Sequence, residues 1–273
     1  MGIIYALIAL GIAMIFGVMN VVNFAHGDFV MMAMYATFWI ATIFSWDAVV
    51  APLVTFPILF LIGVLVYYVL IRPTLRYNYV IQIAVTVGLG YMLKAAAQVV
   101  FQAQPKSLQY SIIQGSLHLG QYTILTSRLI SALVSLIVIA LVALFLSKTW
   151  AGRAIRAASD DLDVASLVGV NYHRTYALSF GLGTALTAIA AGLLMTFQQV
   201  SPQMGASYGL LSWVIMALAG LGSTPGLLIT GALVGSAEAL AMAFWDPRSR
   251  LMVIYLIFIV GLWIRPRGFF GRR

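Results

Sequence analysis

The sequence predicts an all-α polytopic membrane protein, and three observations carry that prediction. Hydrophobic residues make up 63% of the 273 residues and charged residues only 8%, whereas soluble domains carry roughly 25% charged residues. The mean hydropathy is +1.03. Apolar stretches of about 20 residues recur, and each is long enough to cross roughly 30 Å of hydrocarbon as a helix. We expect one transmembrane domain, residues 1–273, embedded in the lipid bilayer.

The apolar stretches predict about eight transmembrane helices together with a Gly-rich broken or re-entrant helix pair. The first stretch lacks the basic start and cleavage site of a signal peptide, so we expect it to be retained as a span; its shortness favours a start further upstream. Segment 208–245 is interrupted by GLGSTPG and is too short for two full spans of roughly 20 residues plus a turn, which predicts two shortened helices. The other spans are expected at 2–19, 29–44, 49–71, 79–101, 129–147, 175–197 and 251–264.

The charge distribution predicts the orientation. Loop 72–76 holds two Lys or Arg, segment 148–174 holds four and the C-terminal tail holds four, whereas region 102–127 holds one. By the positive-inside rule the first three are predicted to be cytoplasmic and region 102–127 external. The same rule accounts for the net charge of +8 without a nucleic-acid partner. The absence of cysteine excludes disulfides and thiolate metal sites, and we expect no catalytic or metal-binding residues.

The loop between the fifth and sixth spans, residues 148–174, is called here the charged loop. The whole chain has 15 basic and seven acidic residues, and seven of these 22 charged residues lie in the charged loop. From Arg153 to Val168 apolar residues recur at spacings of three and four, which predicts one amphipathic helix. Gly169 is predicted to cap its C-terminus, and Asn171 to begin the next span. The apolar stripe contains Ile155, Ala158, Leu162 and Ala165, and the opposite face contains Arg153, Arg156, Asp160 and Asp163.

The residues of the charged loop leave two interpretations open. The loop is either a solvated helix lying on the membrane or a docking helix for a cytoplasmic protein. Helices that lie on membranes usually carry bulky apolar anchors and a cationic polar face. Here two of the four stripe residues are alanine and the polar face is mixed in sign. This composition favours a protein groove.

Three blocks of sequence point to a known family. They are GRAIRAASDDLDVASLVGVNYHRTYALSFGLGTALTAIAAGLL in the charged loop and the span after it, IYALIALGIAMIFGVMNVVNFAHGDFVMMAMY near the N-terminus, and MALAGLGSTPGLLITGALVGSAEAL late in the chain. The first resembles the coupling segment of branched-chain amino acid ABC transporter permeases, the LivH-type subunit. The second resembles the family's block around its NFAHG motif, and the third its Gly-rich block. Region 102–127 matches poorly.

The resemblance implies a permease subunit of an importer in the bacterial cytoplasmic (inner) membrane, with substrates leucine, isoleucine and valine. Its implied partners are a second homologous permease subunit of the LivM type, two cytoplasmic ATP-binding subunits and a periplasmic substrate-binding protein. The chain contains no Gly-Lys dipeptide and therefore no phosphate-binding P-loop. We thus expect no cofactor on this chain, no enzymatic activity, and ATP and Mg²⁺ on the partner subunits. Relatives carrying urea, amides or aromatic acids are the nearest alternative; a proton-coupled carrier and a membrane scaffold are alternatives of other classes.

Polar residues within the apolar sequence are the candidates for a translocation path, each with a structural alternative. In NVVNFAHGDF, residues 20–29, the alternative is a polar turn in which Asn or Asp caps the second span. In GLGSTPG, residues 220–226, it is packing against the sister subunit through the spacings Gly222–Gly226 and Gly231–Gly235; in the path interpretation, helix N-termini face a carboxylate. For Glu238 the path interpretation is a proton relay, and the structural alternative is pairing with a neighbouring helix or with Lys94.

The resemblance thus assigns roles to two sets of residues. Coupling to the ATPase is expected at Arg153, Arg156, Ala158, Asp160, Asp161, Leu162, Asp163, Ala165 and Gly169, where the apolar members either insert into the ATPase or pack on the membrane domain. The translocation path is expected at Asn23, His26, Gly27, Asp28, Gly222, Thr224, Gly226 and Glu238.

Overall fold

The computed structural model describes residues 1–102, 104–108, 113, 115–119, 122–220, 222–246 and 249–271. Within these ranges the chain forms helices and one hairpin, and a π-helical turn, Tyr67–Ile71, continues α3. The helices are α1 (Gly2–Met19), α2 (His26–Phe44), α3 (Pro52–Val66), α4 (Arg72–Thr74), α5 (Tyr79–Phe101), α6 (Thr126–Lys148), α7 (Trp150–Asp160), α8 (Leu162–Leu167), α9 (Tyr172–Met195), α10 (Met204–Ala219), α11 (Thr224–Phe244) and α12 (Arg250–Ile264).

The prediction of an all-α polytopic membrane protein is confirmed. Among the described helices, seven are long and apolar enough to cross a membrane, and α10 and α12 are shorter apolar helices. The break between α10 and α11 lies where the sequence predicted it. However, only α10 is shortened, at 16 residues. Helix α11 has 21 residues and can span the bilayer, because the break occupies fewer residues than the GLGSTPG motif.

The centre of the bundle is formed by α9, which packs against α1, α2 and α3. Small residues allow these helices to approach closely. At the crossing of α1 and α9, a methyl group added at Gly11 would lie 2.6 Å from the carbonyl oxygen of Gly183, and one added at Gly183 would lie 2.6 Å from that of Gly11. Interfaces of small residues are typical of helix packing in membranes, where close backbone contact replaces the hydrophobic driving force.

The glycines of α5 and α11 meet different surroundings. In α5, Gly90 lies against Asp28, whereas no described atom lies within 4 Å of a methyl group placed at Gly88. For the pair Gly231 and Gly235, packing against a sister subunit was the structural alternative to a translocation path. Instead both pack on Gly2 of α1 in the same chain, because the short loop before α11 turns it back onto α1.

Region 102–127 contains an antiparallel hairpin that the sequence analysis did not predict. Strand β1 (Ser116–Leu119) pairs with β2 (Tyr122–Leu125), with Ser116 opposite Leu125. A second pair of backbone hydrogen bonds, 2.8 and 2.9 Å long, joins Lys106 to Val200 in the loop between α9 and α10. Region 102–127 is therefore tied to the end of α9.

Candidate functional site

The basic stretches of the chain meet at one end of the bundle, which we call the basic end. The Oγ of Ser159 in α7 contacts the carbonyl oxygen of Gly17 near the end of α1. Tyr67, which precedes the basic turn 72–76, hydrogen-bonds His173 at the start of α9 over 3.0 Å. The backbone nitrogen of Phe269 donates to the carbonyl oxygen of Leu218 at the end of α10, at 2.7 Å. The described basic residues in these stretches are Arg72, Arg76, Lys148, Arg153, Arg156, Arg174, Arg265 and Arg267.

The charged loop is held firmly on the bundle by α7. Thr149 caps this helix by accepting a 3.0 Å hydrogen bond from the nitrogen of Gly152, and Gly152 lies so close to the backbone of Phe145 and Leu146 that only glycine fits there. The guanidinium groups of Arg153 and Arg156 reach carbonyl oxygens at the C-terminus of α6, each at 3.4 Å. These carbonyls have no partner within their own helix, so the contacts satisfy them and place positive charge at the negative end of the helix dipole.

The prediction of one continuous helix through the charged loop is wrong, because the helix breaks at Asp161. This residue is extended, with φ −157° and ψ 112°, and its carboxylate accepts hydrogen bonds of 3.0 Å from the nitrogens of Asp163 and Val164. Aspartate is among the preferred N-cap residues because it satisfies free N–H groups at a helix start. Asp161 therefore ends α7 and starts α8.

The two faces predicted for the charged loop are confirmed despite the break. Ile155, Ala158 and Ala165 are buried against the bundle and Leu162 is half-buried, whereas Arg153, Arg156, Asp160 and Asp163 are exposed. The apolar stripe thus packs on the chain's own membrane domain, which is one of the two arrangements considered for Ala158, Leu162 and Ala165. It is unavailable to a partner groove.

Three exposed apolar side chains at the end of α8 were missed by the sequence analysis. Leu167 is 86% exposed, Val168 75% and Val164 57%. The signal was present in the sequence as a run of apolar residues just before Gly169, but a continuous helix placed the apolar stripe elsewhere. We call Val164, Leu167 and Val168 the apolar tip of the charged loop.

The predicted ends of the charged loop are confirmed. Gly169 adopts φ +86°, and the nitrogens of Gly169 and Val170 bond to the carbonyl oxygens of Ser166 and Ala165, each at 3.1 Å. This is the hydrogen-bond pattern of a Schellman cap, in which glycine takes the left-handed position. Asn171 then caps α9 by accepting a 3.1 Å hydrogen bond from the nitrogen of Arg174. A tight turn therefore carries the apolar tip directly into the central helix.

The segment 20–25 runs back along α1, so that α2 begins beside the middle of α1. The Nε2 of His26 lies 3.0 Å from the carbonyl oxygen of Ile8. On the other side the segment follows α5: Asn20 donates to the hydroxyl of Tyr79 at 2.6 Å, and Thr86 donates to the carbonyl oxygen of Val22 at 3.0 Å. Non-helical backbone at this depth is tolerated only where protein or a cavity covers it, and here α1 and α5 cover it.

The capping interpretation of this segment is wrong. The N-cap of α2 is Ala25, and no side chain makes a cap hydrogen bond there. Asn23 instead accepts a 3.1 Å bond from the nitrogen of Ala25. Its Nδ2 and the Nδ1 of His26 are buried without a hydrogen-bond partner among the described residues. Buried polar atoms of this kind normally have partners, which makes Asn23 and His26 candidates for contact with a polar ligand.

Glycines on two other helices make room for Gly27 and Asp28. A methyl group placed at Gly27 would overlap the backbone of α10, and one placed at Gly205 would overlap Oδ1 of Asp28. One placed at Gly90 would lie 2.6 Å from Oδ2 of Asp28, and the positive charge of Lys94 lies within electrostatic range of this carboxylate. Asn23, His26, Gly27 and Asp28 are therefore brought together among α1, α5 and α10. We call these four residues the polar cluster.

The glycine-rich break lies elsewhere, at the basic end. Ser223 caps α11 by accepting a 3.1 Å bond from the nitrogen of Gly226, and the nitrogen of Phe270 donates to the carbonyl oxygen of Ala219 at 3.0 Å. A methyl group at Gly226 would lie 3.0 Å from the ring of Phe270. Gly222, with φ +81°, and Thr224 belong to the same turn. The C-terminal tail thus packs on Ala219 and Gly226 at the two sides of the break, whereas Gly222 is exposed. The break does not meet the polar cluster.

Glu238 is buried at the opposite end from the basic end. Its Oε1 accepts a 3.2 Å hydrogen bond from Tyr5 of α1 and lies 3.2 Å from the guanidinium of Arg250 in α12. The expected pairing with a neighbouring helix is therefore confirmed, with Arg250 and Tyr5 as partners rather than Lys94. The contacts join α1, α11 and α12.

Comparisons with known proteins identify the family. The permease protein LivH of the high-affinity branched-chain amino acid transport system from Salmonella typhimurium is 30% identical over 285 residues, covering 100% of this chain and 92% of that protein. BraD from Pseudomonas aeruginosa, named for the same kind of system, is 30% identical over 285 residues, covering 99% and 92%. The solved structure of PsaBC from Streptococcus pneumoniae in complex with Fab covers 97% of this chain and 91% of that chain, with 15% identity and a TM-score of 0.49.

The family model described as the branched-chain amino acid transport system / permease component matches residues 1–262. The chain belongs to this permease family. The resemblance to LivH-type subunits is confirmed, and it extends through the helices between the three motif blocks. The permease is a multi-pass membrane protein whose relatives are transport proteins rather than enzymes.

The contacts of Glu238 allow a test between structural pairing and a proton relay in the permease. We expect Glu238→Gln to retain uptake within about two-fold, because the amide oxygen still accepts from Tyr5 and the half-exposed Arg250 regains hydration. Uptake into vesicles at fixed ATP measures this, and Glu238→Leu is the matched variant that removes the acceptor. A relay at Glu238 requires a titrating carboxyl group, so abolition of uptake by Glu238→Gln would contradict the structural role.

Proposed function

We propose that the chain is the transmembrane permease subunit of an ABC importer, forming half of the translocation path for leucine, isoleucine and valine. The observation that carries the proposal is the charged loop. The charged loop is held rigidly on the bundle and presents an exposed polar face and an exposed apolar tip. The chain that carries this loop belongs to a transport permease family. Such a surface fits a partner protein, and the absence of a P-loop sequence leaves ATP and Mg²⁺ to that partner.

The partners in this proposal are a second homologous permease subunit of the LivM type, two ATP-binding subunits and a periplasmic substrate-binding protein. The basic end is placed in the cytoplasm of a bacterium, with the C-terminus and the charged loop, and the bundle in the inner membrane. The clustering of eight described Lys and Arg residues in the stretches at this end supports the orientation. The ATP-binding subunits would then dock on the basic end and the binding protein on the opposite one.

Helix α1 supplies a mechanical connection between the docking surface and the polar cluster. Ser159 of the charged loop contacts Gly17 of α1, and Ile8 of the same helix holds His26. At about 1.5 Å per residue, these two contacts are roughly 14 Å apart along α1. Displacement of the charged loop by the ATPase would therefore move α1 against the start of α2.

We assign the translocation path to the polar cluster. Its unpartnered polar atoms and its broken helix are properties that transporters use at substrate sites. For Gly226 and Glu238 the contacts favour the structural alternative, because the tail packs on Gly226 and Arg250 pairs with Glu238. Gly222 and Thr224 belong to the turn before α11, at the basic end and away from the polar cluster. In the coupling surface, Arg153, Arg156, Asp160 and Asp163 face the ATPase, while Ala158, Leu162 and Ala165 fix the loop to the bundle, and Asp161 and Gly169 set its turns.

Charge reversal on the exposed face of the charged loop tests the proposal. We expect the double change Arg156→Glu and Asp160→Lys to reduce substrate-stimulated ATP hydrolysis at least ten-fold in vesicles that contain all partner subunits, because like charges then face each other across the interface. Thermal stability of the detergent-solubilised permease reports folding.

Arg76→Glu is the matched control, since Arg76 is an exposed arginine at the basic end outside the charged loop. We expect it to retain coupling. Wild-type vesicles that hydrolyse ATP without accumulating leucine, isoleucine or valine would overturn the substrate assignment. Unchanged coupling in the double variant would overturn the docking surface.

A further inference from the structure

A cavity of about 530 Å³ lies at the end of the bundle opposite the basic end. Its volume is within the range of about 300–1,000 Å³ typical of small-molecule sites. Ser107, Thr196, Gln198 and Gln199 contribute polar side chains to its wall, and apolar side chains come from Leu108, Met195 and Met204. The described lining contains no charged side chain, which fits a small ligand that has both polar and apolar parts.

Arg128 packs on the cavity wall, and Lys106 adjoins the wall in sequence. Lys106 directly precedes Ser107, and its ammonium lies 5.8 Å from the ring centroid of Phe38. The guanidinium of Arg128 lies 5.7 Å from the ring centroid of Phe197, another residue of the cavity wall. Positive charge beside an uncharged cavity favours the approach of a carboxylate.

The wall of the cavity is fixed by contacts behind it. The hydroxyl of Tyr208 donates a 2.7 Å hydrogen bond to Oε1 of Gln198. Within the described part of the chain the Nε2 group of that amide has no acceptor, so it can donate to a ligand. The paired backbone bonds between Lys106 and Val200, at 2.8 and 2.9 Å, hold the two sides of the cavity together. Binding there would order few side chains, and the entropy cost would be correspondingly small.

The cavity adjoins the polar cluster. Met204 lines the cavity and is the first residue of α10. The next residue, Gly205, is in contact with Asp28. A solute in the cavity is therefore separated from the cluster by the first turn of α10.

We propose that this cavity is an entry site that binds the free amino-acid substrate before it reaches the polar cluster. The α-carboxylate and ammonium groups of the substrate bind to the amide and hydroxyl groups of the polar wall, and its aliphatic side chain lies against Leu108, Met195 and Met204. This inference rests on the proposed transport function. It adds a substrate site that is separate from the polar cluster.

Substrate protection of a single cysteine tests the proposal, since the chain has no cysteine of its own. Ser107→Cys is placed in the assembled importer in vesicles, without binding protein, and reacted with a membrane-impermeant maleimide. We expect saturating L-leucine to slow labelling of this chain at least five-fold and L-glutamate to leave it unchanged. Thr42→Cys is the control, because Thr42 is exposed at the end of α2 and outside the cavity wall.

Adding a second change tests the polar wall itself. In the Ser107→Cys background we expect Gln198→Ala to reduce the protection below two-fold and Gln203→Ala to retain it, because Gln203 is exposed on the same loop but does not line the cavity. Equal protection at Thr42→Cys, or protection by substrate-free binding protein but not by leucine, would overturn the entry site. Absence of protection by leucine in an importer whose wild type accumulates leucine would also overturn the entry site, but it would leave the proposed function standing. A wild-type importer that accumulates no leucine overturns both.

Discussion

Replacing Leu167 with aspartate is expected to abolish substrate-stimulated ATP hydrolysis and uptake while leaving the helix bundle folded. Leu167 is 86% exposed at the apolar tip, so a polar side chain there disturbs little of the packing among the described residues. Its loss therefore has little effect on the permease alone. In the proposed importer, the tip is the exposed apolar part of the charged loop and is the part expected to be buried by the ATPase.

The expected size of this effect follows from burial at the interface. Full burial of a leucine side chain contributes about 1.5–3 kcal/mol, and a buried unpaired carboxylate adds a further cost. A loss of about 3 kcal/mol corresponds to roughly 100-fold weaker binding of the ATP-binding subunits. This exceeds the effect of reversing exposed charges, because solvent screens charges at the rim of an interface.

Titration of the ATP-binding subunits against vesicles that contain the permease measures the affinity, and the substrate-stimulated hydrolysis rate measures coupling. Leu167→Met is the matched control and is expected to bind within about two-fold of the wild type, because methionine preserves apolar volume. Normal affinity of Leu167→Asp would show that the apolar tip lies outside the interface.

The sequence was sufficient to predict features that depend on local chemistry. The two faces of the charged loop follow from helical periodicity, and the Gly169 and Asn171 caps follow from the conformational preferences of those residues. The break at Asp161 was missed because the apolar periodicity is the same with or without it. An aspartate carboxylate can remain on the surface of a continuous helix, or it can end that helix and cap the next one, as Asp161 does.

Features that depend on distant contacts were not predictable in the same way. The polarity of segment 20–29 was evident, but its position beside the middle of α1 depends on bonds such as that between Thr86 and Val22, 64 residues apart. The partner of Glu238 likewise depends on how α12 returns beside α11. Hairpin β1–β2 lies in a polar region where neither helical nor strand periodicity was clear.

The second large effect is expected from adding a methyl group at Gly27, where α2 approaches α10 closely. We expect Gly27→Ala to destabilise the permease by about 3 kcal/mol, since the added methyl group overlaps the carbonyl oxygen of Gly205 and the nitrogen of Gly209, and overpacking against rigid backbone costs about 1–3 kcal/mol or more. The loss corresponds to a fall of roughly 10 °C in the thermal midpoint for a chain of this size. Uptake is expected to be lost as well, because separating α2 from α10 displaces Asp28.

Gly88→Ala is the matched control for this change. It makes the same substitution in a helix, but no described atom lies within 4 Å of the added methyl group, so we expect unchanged uptake and a gain of up to about 1 kcal/mol from helix propensity. Gly90→Ala, two residues along, is expected to fall between them, because its methyl group meets a carboxylate oxygen of Asp28 that can move, rather than backbone. The order Gly88, Gly90, Gly27 in loss of thermal stability is thus expected from contacts alone. Equal losses at all three positions would mean that helix flexibility, and not the α2–α10 contact, determines the need for glycine.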